Sequence, residues 1–569
     1  MNSRFLLALV LTAIVIVATP LLFPGSMKRV PVALTDSTTR VTGSRSEQAR
    51  GVTPMGAAVS TAAGAPTSTV VASTPSANTA ATAAETTVVH AAGARYGLSN
   101  VGAVPTSVSL DSYPSHRKGA APGSVQLVSR RQPLMQYRLA IGADTIRLDT
   151  VLFQLEQKAQ PSQHLAFHGV AGGYAVDIAY DFPSDTANAY LVHFSTRVEN
   201  AATGTRLIVG LPQTLYANEA DTADDINHLA VSYRSARGEV SNVAFAKLDT
   251  IETKREAGPI SWAATRNKYF VVVYRSTKTP FSYLELRGVP RTGKLAENMI
   301  GNVSLPLSPD GTAAFDIYAG PQSFSRLQQL GGDLDQVNPY AGLLHGVVQP
   351  FTKIVMKALL WMKHTTQLNY GWVLVLFGIL IRLVLWPLNQ SAMRTSMKMQ
   401  RLQPELQALQ KKYSDDPKKQ QEAVMKVYKD HGMSPLSPLM GCLPMLLPMP
   451  VLFALYQVFQ NTIEFRGVPF LWLSDISQRD PFFITPLLMG ISMFAMSWIG
   501  MRNSPPNPQA KMMSYMMPVM LTVLFLNFAS GLNLYYAVQN VAAIPQQWLL
   551  ARERGKQSVV VTQPAKRRA

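Results

Sequence analysis

"VLVLFGILIRLVLWPL", Val373 to Leu388, decides how this chain is read. Fifteen of its sixteen residues are uncharged, and the sixteenth is Arg382. A run this long and this apolar is built for lipid. A charge at a bilayer centre costs about 2.5–3.5 kcal/mol by insertion scales. Snorkelling is the ordinary answer, because Arg382 lies five residues before Pro387, roughly 7–8 Å from the inner end of the run. An acidic mate is the other answer, but none of the apolar runs after residue 368 contains Asp or Glu. An arginine without a mate must face water or incoming ligand oxygens, and we favour that reading.

The opening stretch belongs to a span from Asn369 to Leu388. Further spans are expected at Leu436–Phe459, Pro481–Ile499, Met512–Phe528 and Leu532–Leu550. The last is the most polar, with Gln539, Asn540, Gln546 and Gln547. Near the N-terminus, Phe5 to Phe23 gives 19 residues without a charge, about 28 Å of helix. A cleaved signal peptide would have an apolar region of about 7–15 residues and a small-x-small site. This run is longer and no convincing site follows it, so residues 1–29 are read as an uncleaved transmembrane anchor. The expected total is six spans.

Charge sets the orientation. Residues 389–435 carry nine Lys/Arg against five Asp/Glu, residues 500–511 two against none, and residues 551–569 six against one. The loop 461–480 has two basic and three acidic residues. Alternate loops differ in sign, which puts both termini in the cytoplasm. The same bias accounts for most of the net charge of +18 without a nucleic-acid-binding domain. Ribosomal RNA contact by the basic tail 551–569 stays open.

Between the anchor and the core the texture changes twice. Residues 30–115 are rich in Ala, Thr, Ser, Pro and Gly, with Glu85 the single charge from Gly51 to Gly93, and read as a flexible linker. Residues 116–337 hold runs such as "YAVDIAYDF", "AYLVHFSTRVEN" and "KYFVVVYRS", separated by turn residues. They predict a β-sandwich outside the membrane. His164 and His168 are four apart and read as ordinary strand or loop histidines. Residues 338–367 form an apolar segment carrying Lys353, Lys357 and Lys363, which fits an interfacial amphipathic helix with lysines among headgroups. A soluble amphipathic helix packed on the sandwich is the alternative.

Residues 389–435 are too long for a connector between two spans. Leu402, Leu406, Leu409 and Tyr413 share one helical stripe, "SDDP" breaks it, and Pro417 fits the first turn of a second helix lined by Val424, Val427 and Tyr428. A charged helical hairpin in the cytoplasm results. Methionines crowd the spans that follow, suiting surfaces that accept varied apolar partners or, equally, irregular packing. Only Cys442 is a cysteine, so no intrachain disulfide forms. The lack of intramembrane acids speaks against an ion-coupled transporter. No nucleotide, metal-ligand or nucleophile motif is seen, so neither an enzyme nor a cofactor is expected.

The arginine before "WPL", then "MKMQRLQPELQAL", "GMSPLSPLMGCLPMLLPMPVLFALY", "GVPFLWLSDISQRDPFFITPLLMG" and "SGLNLYY", resemble the YidC-type membrane protein insertases of Gram-negative bacteria. "SWAATRNKYFVVVY" and "YAGPQSF" resemble that family's periplasmic sandwich. The resemblance implies a polytopic α-helical membrane protein of the inner membrane with a periplasmic β-sandwich and a cytoplasmic hairpin. It implies a five-span core over 368–550 with a groove open to cytoplasm and lipid. Arg382 would lie in that groove. Met449, Leu452, Phe453 and Tyr456 share one face by spacing, on a span along which a substrate helix leaves. Tyr535 and Tyr536 match the family's paired tyrosines. The hairpin, with Met397, Met399, Leu402 and Leu406, is associated with substrate capture. Implied partners are nascent membrane proteins, lipids and the Sec translocon. A folding chaperone or assembly scaffold is the alternative function. Three departures stand out. Gly378 replaces the polar residue usual four positions before the arginine, Pro448 replaces the glutamine usual before "MP", and Asn527 and Asn533 are polar where apolar residues are common. The groove is therefore expected to be wetted from the 512–528 side.

Overall fold

Leu191–Val198 shows how the strands are built. Phe194, Thr196 and Val198 are buried while His193, Ser195 and Arg197 are exposed, the period-two pattern of a strand with one wet face. The computed structural model describes residues 83–561, except 130, 157–162, 236, 292, 294, 339–344, 388, 392–401, 403, 404, 407, 410, 411, 414, 415, 432–448 and 502–507. Its strands form antiparallel sheets of four, nine and six strands. The two larger sheets face each other across an aromatic layer. Tyr137 of the six-stranded sheet stacks on Phe194 of the nine-stranded sheet at 5.3 Å, and Phe281 meets Phe315 at 6.1 Å. The buried phenols are satisfied, because the Tyr137 and Tyr180 hydroxyls hydrogen-bond and Tyr180 donates to the Ala103 carbonyl at 2.7 Å.

On the outer face of the nine-stranded sheet, histidines and an arginine meet aspartates in register. His164 pairs with Asp181 and His168 with Asp177; His193 reaches Asp316 at 2.7 Å, and Asp316 also takes Arg275 at 2.6 Å. His164 and His168 are thus cross-strand partners of aspartates.

The sandwich begins earlier than expected. Residues 86–114 are not a linker: Thr86–Ala91, Ala94–Ser99 and Val104–Pro114 are strands of the four-stranded sheet, and Val89, Tyr96, Leu98, Val108 and Leu110 are buried in the main core. Their short alternation was hidden by an Ala/Thr/Ser-rich composition that continues unbroken from upstream. The anchor 1–29 and the linker up to residue 82 lie outside the described residues.

Two short helices, α1 (Thr222–Asn227) and α2 (Phe324–Leu330), belong to the sandwich. Then follow α3 (His345–Thr366), α4 (Tyr370–Val384), α5 (Pro417–Asp430), α6 (Met449–Asn461), α7 (Ile484–Met501), α8 (Pro508–Phe525) and α9 (Ser530–Val561). The chain turns by 118° between α3 and α4. Asn369 caps α4 by accepting from the Gly371 N–H at 2.9 Å and donates to the Pro469 carbonyl. α3 buries Val355, Met356, Leu359 and Met362 and leaves Phe351, Ile354 and Trp361 exposed. Broad apolar faces are also exposed on α4 (Leu376, Leu380, Leu383), α7 (Leu487, Ile491, Trp498) and α8 (Met512, Met516, Met520). Patches of this kind suit lipid, not water. Among the described residues, α7 alone is both long and apolar enough to cross a bilayer, or two spans if bent α3–α4 counts as one.

In the hairpin, Asp416 caps α5 by accepting from the Lys419 N–H, with Pro417 in the first turn. Leu402, Val427 and Tyr428 are buried together against Leu406, Leu409 and Val424. The two apolar stripes therefore face each other.

The α6–α7 connection docks on the sandwich. Arg466 donates from Nε to Glu219 at 2.7 Å and from Nη2 to the Pro114 carbonyl at 2.9 Å, over the rings of Tyr269 and Phe270. Glu464 accepts from the Ser323 hydroxyl and the Phe324 N–H. Lys353 of α3 pairs with Asp335 at 2.8 Å. Below Glu219 lies Asp225 of α1, 1 % exposed, which accepts from the backbone N–H groups of Asn218 and Lys268.

Burial, with Glu219 nearby, pushes Asp225 up to about 7. Unfolded, an aspartate titrates near 3.9. The folded chain therefore keeps a proton that the unfolded chain has lost, and stability falls as pH rises from about 4 to about 7. The full effect is about 4 kcal/mol. Asp225→Asn is expected to flatten the decline of the sandwich's melting temperature over that window. Parallel slopes in the two proteins would remove Asp225 as its source.

Candidate functional site: a polar seam beside Arg382

Glycine opens the seam. A Cβ added at Gly378 of α4 would lie 3.1 Å from Val538 Cγ1 and 3.5 Å from the Tyr535 ring of α9. That close approach lets the Gln539 amide donate to the Gly378 carbonyl at 2.8 Å and to the Tyr535 hydroxyl at 3.0 Å. One turn on, Arg382 donates from Nη2 to Gln546 Oε1 at 2.9 Å. Gln546 donates in turn to the Trp386 carbonyl at 3.1 Å, and Trp386 donates to Gln390 at 3.0 Å. Gln539 and Gln546 are seven apart, two helical turns, and so share the face toward α4. Asn540 and Gln547, also seven apart, face α7: Asn540 donates to Ser492 at 3.2 Å, and Gly500 approaches Gln547. The four polar residues that make the last span the most polar thus divide into two pairs, each serving a different neighbour.

Arg382 is half-buried, and among the described residues no carboxylate pairs with it. Its Nε is buried without a hydrogen-bond partner. Among the described residues, an amide oxygen and no acid holds the guanidinium, which leaves its positive charge uncompensated.

The other expected site residues separate into groups. Tyr535 is buried beside Phe377 and meets Tyr536 at 6.0 Å, close to the arginine's seam. Tyr456 and Phe453 are half-buried on α6, with Tyr456 against Phe528 at 5.4 Å. Met449 and Leu452 begin α6, but their side chains lie outside the described residues, as do Met397 and Met399 altogether. Leu402 and Leu406 turn toward α5 and hold the hairpin together.

The two asparagines on which the expected wetting from the 512–528 side rested lie away from Arg382. Asn533 is fully buried and donates to the Phe525 carbonyl at 3.1 Å, closing the end of α8. Asn527 is exposed in the α8–α9 turn and lines a cavity against the sandwich. Gln546, the arginine's partner, lies sixteen residues beyond Ser530, roughly 24 Å along α9. The polar groups beside the arginine come from α9 itself. Gln539, Gln546 and Trp386 were missed as site residues; the signal that could have found the glutamines was their seven-residue spacing within an apolar helix. No grouping that could hold a metal occurs among the described residues.

Residues 361–557 match the family described as 60Kd inner membrane protein, and residues 87–354 match the YidC periplasmic domain. The membrane protein insertase YidC of Nitratidesulfovibrio vulgaris (strain DSM 19637 / Miyazaki F) is 32% identical over 405 residues, covering 68% of this chain and 70% of that relative. This chain belongs to the YidC family. The YidC insertase of Chlorobium limicola is 31% identical over 398 residues; the match spans 66% of each chain, just under two thirds of that relative. A crystal structure of an active YidC insertase with its first transmembrane domain resolved aligns over 81% of this chain and 92% of that chain, at 18% identity and a TM-score of 0.32. As a YidC-family protein, the chain is an inner-membrane protein whose β-sandwich is its periplasmic domain. Four positions before the arginine, Gly378 receives the Gln539 amide of α9 on its carbonyl.

Proposed function

We propose that this YidC-family chain is a membrane protein insertase, moving apolar helices of nascent proteins from the cytoplasm into the inner membrane. The observation that carries the reading is Arg382, bound to Gln546 and to no carboxylate among the described residues. Placing an apolar helix in lipid is downhill; the barrier is carrying its polar flanking tail across. A seam lined by Arg382, Gln539 and Gln546 shortens the dry path. Arg382 attracts carboxylates of the entering tail more strongly than bulk water would allow. The exposed apolar faces of the neighbouring helices then receive the substrate helix. The work is binding and release, with no covalent step.

The finer reading has six spans, the anchor 1–29 among them, both termini in the cytoplasm, and a groove opening toward the hairpin. Residues 338–367 lie in the membrane interface, a reading supported by the 118° turn into α4 and the exposed Phe351, Ile354 and Trp361. Met449, Leu452, Phe453 and Tyr456 line the exit path, with Tyr535 and Tyr536 behind the arginine. The hairpin captures substrate through surfaces other than its Leu402 and Leu406 seam. The Sec translocon is a partner, and the basic tail is offered to the ribosome.

The second reading is an assembly chaperone without insertion activity of its own. Vesicles of pure lipid carrying only this protein separate the two. The insertase reading expects a short single-span substrate to become protected from external protease. No protection above protein-free vesicles would leave the chaperone.

A further inference from the structure

A cavity of about 530 Å³ lies where the sandwich meets the ends of α8 and α9, lined from the helical side by Arg479, Asn527 and Ala529 and from the sandwich side by Lys118, Asp221 and Lys268. Half of its six charged residues are already matched. Lys268 donates to Asp224 at 2.7 Å, and Glu219 is taken by Arg466. Three groups remain. Lys118 and Arg479 are exposed and have no carboxylate partner among the described residues. Asp221 uses one oxygen to cap α1, accepting from the Asp224 N–H at 3.0 Å. The lining therefore offers two free cations, one from each part of the molecule, and one carboxylate oxygen.

Its position narrows the ligand. Arg479 stands just before α7, and the same connection exposes Leu471, Phe482 and Phe483, apolar side chains at the end of a membrane helix. In an inner-membrane protein that is the level of the periplasmic headgroups.

We propose that this cavity binds the phosphate of a zwitterionic phospholipid headgroup, with Lys118 and Arg479 on the phosphate and Asp221 toward the ammonium group. Two cations flanking one phosphate suit its charge and acceptor oxygens. A carboxylate beside them selects a headgroup that carries its own cation over one that does not. Such a lipid would bridge the sandwich and the helices from the membrane side.

The test uses the full-length protein, delipidated in detergent and titrated with phosphatidylethanolamine, phosphatidylglycerol or inorganic phosphate, with bound ligand read by native mass spectrometry. Both cations are exposed, so their replacement leaves the fold intact. Lys118→Gln with Arg479→Gln is expected to weaken phosphatidylethanolamine binding at least tenfold. Asp221→Asn is expected to weaken phosphatidylethanolamine several-fold and leave phosphatidylglycerol unchanged. Equal binding by the double variant and the parent would overturn the site. An Asp221→Asn effect on neither lipid, or on both alike, would overturn the zwitterion. Variant-sensitive binding of inorganic phosphate without lipid binding would make this a soluble-anion pocket and overturn the headgroup.

Discussion

Arg382→Ala is expected to cut insertion of a substrate with an acidic translocated tail at least tenfold. A tenfold loss in rate requires about 1.4 kcal/mol. A charge pair at about 4 Å in a medium of effective dielectric 20 has roughly 4 kcal/mol available, so partial hydration of the seam still leaves enough. Arg382→Lys keeps the charge and can still donate to Gln546, so it is expected to stay within a few-fold of the parent. A substrate with a neutral tail should be inserted within about twofold by all three proteins. The comparison is made in pure lipid vesicles with matched acidic and neutral tails. Equal insertion of the acidic tail by Arg382→Ala removes the guanidinium from the mechanism.

The second large effect belongs to the docking of the sandwich. The Arg466 side chain is 2 % exposed and that of Glu219 10 %. Removing one member of a buried, hydrogen-bonded pair costs about 3–5 kcal/mol, because the other stays charged and unmatched. Arg466→Ala also strips a donor from the Pro114 carbonyl and a cation from the faces of Tyr269 and Phe270. His116 is a poor substitute: it lies 3.8 Å from Glu219, and burial together with Arg466 holds it below the usual histidine range. The variant is expected to expose residues 462–470 to hydrogen exchange without unfolding either part. Adding Glu219→Gln should recover much of the loss, since no charge is then stranded. Unchanged protection of 462–470 in Arg466→Ala would mean that other contacts carry the docking.

Periodicity made the helical core legible. The run Pro481–Ile499 became α7 at Ile484–Met501, and the stripes Leu402–Leu406–Leu409 and Val424–Val427–Tyr428 do face each other. Local chemistry explains both, because a helix's apolar face is written in consecutive residues. What stayed hidden depends on partners distant in sequence. Arg466 and Glu219 are 247 positions apart, and nothing near either marks the other. Gln539 looked like a flaw in a span until the Gly378 carbonyl stood opposite it. The helix that holds the expected span Leu532–Leu550 continues beyond it to Val561, because "ARERGKQ" carries no proline to end it. Asn527 and Asn533 were expected in the groove for their polarity; what polarity could not foretell is that one lies in the α8–α9 turn and the other donates to the Phe525 carbonyl at the end of α8.

The last residue of α6 is Asn461, and the clamp on the sandwich begins three positions later, at Glu464 and then Arg466. A rod gripped at one end pivots there. Whatever sideways play α6 has against its neighbours therefore grows toward Met449, twelve residues from Asn461. Any parting of the helices must take the shape of a wedge, its apex at the sandwich and its mouth at the far side. On the insertase reading proposed above, the periplasmic domain is the fulcrum of that wedge.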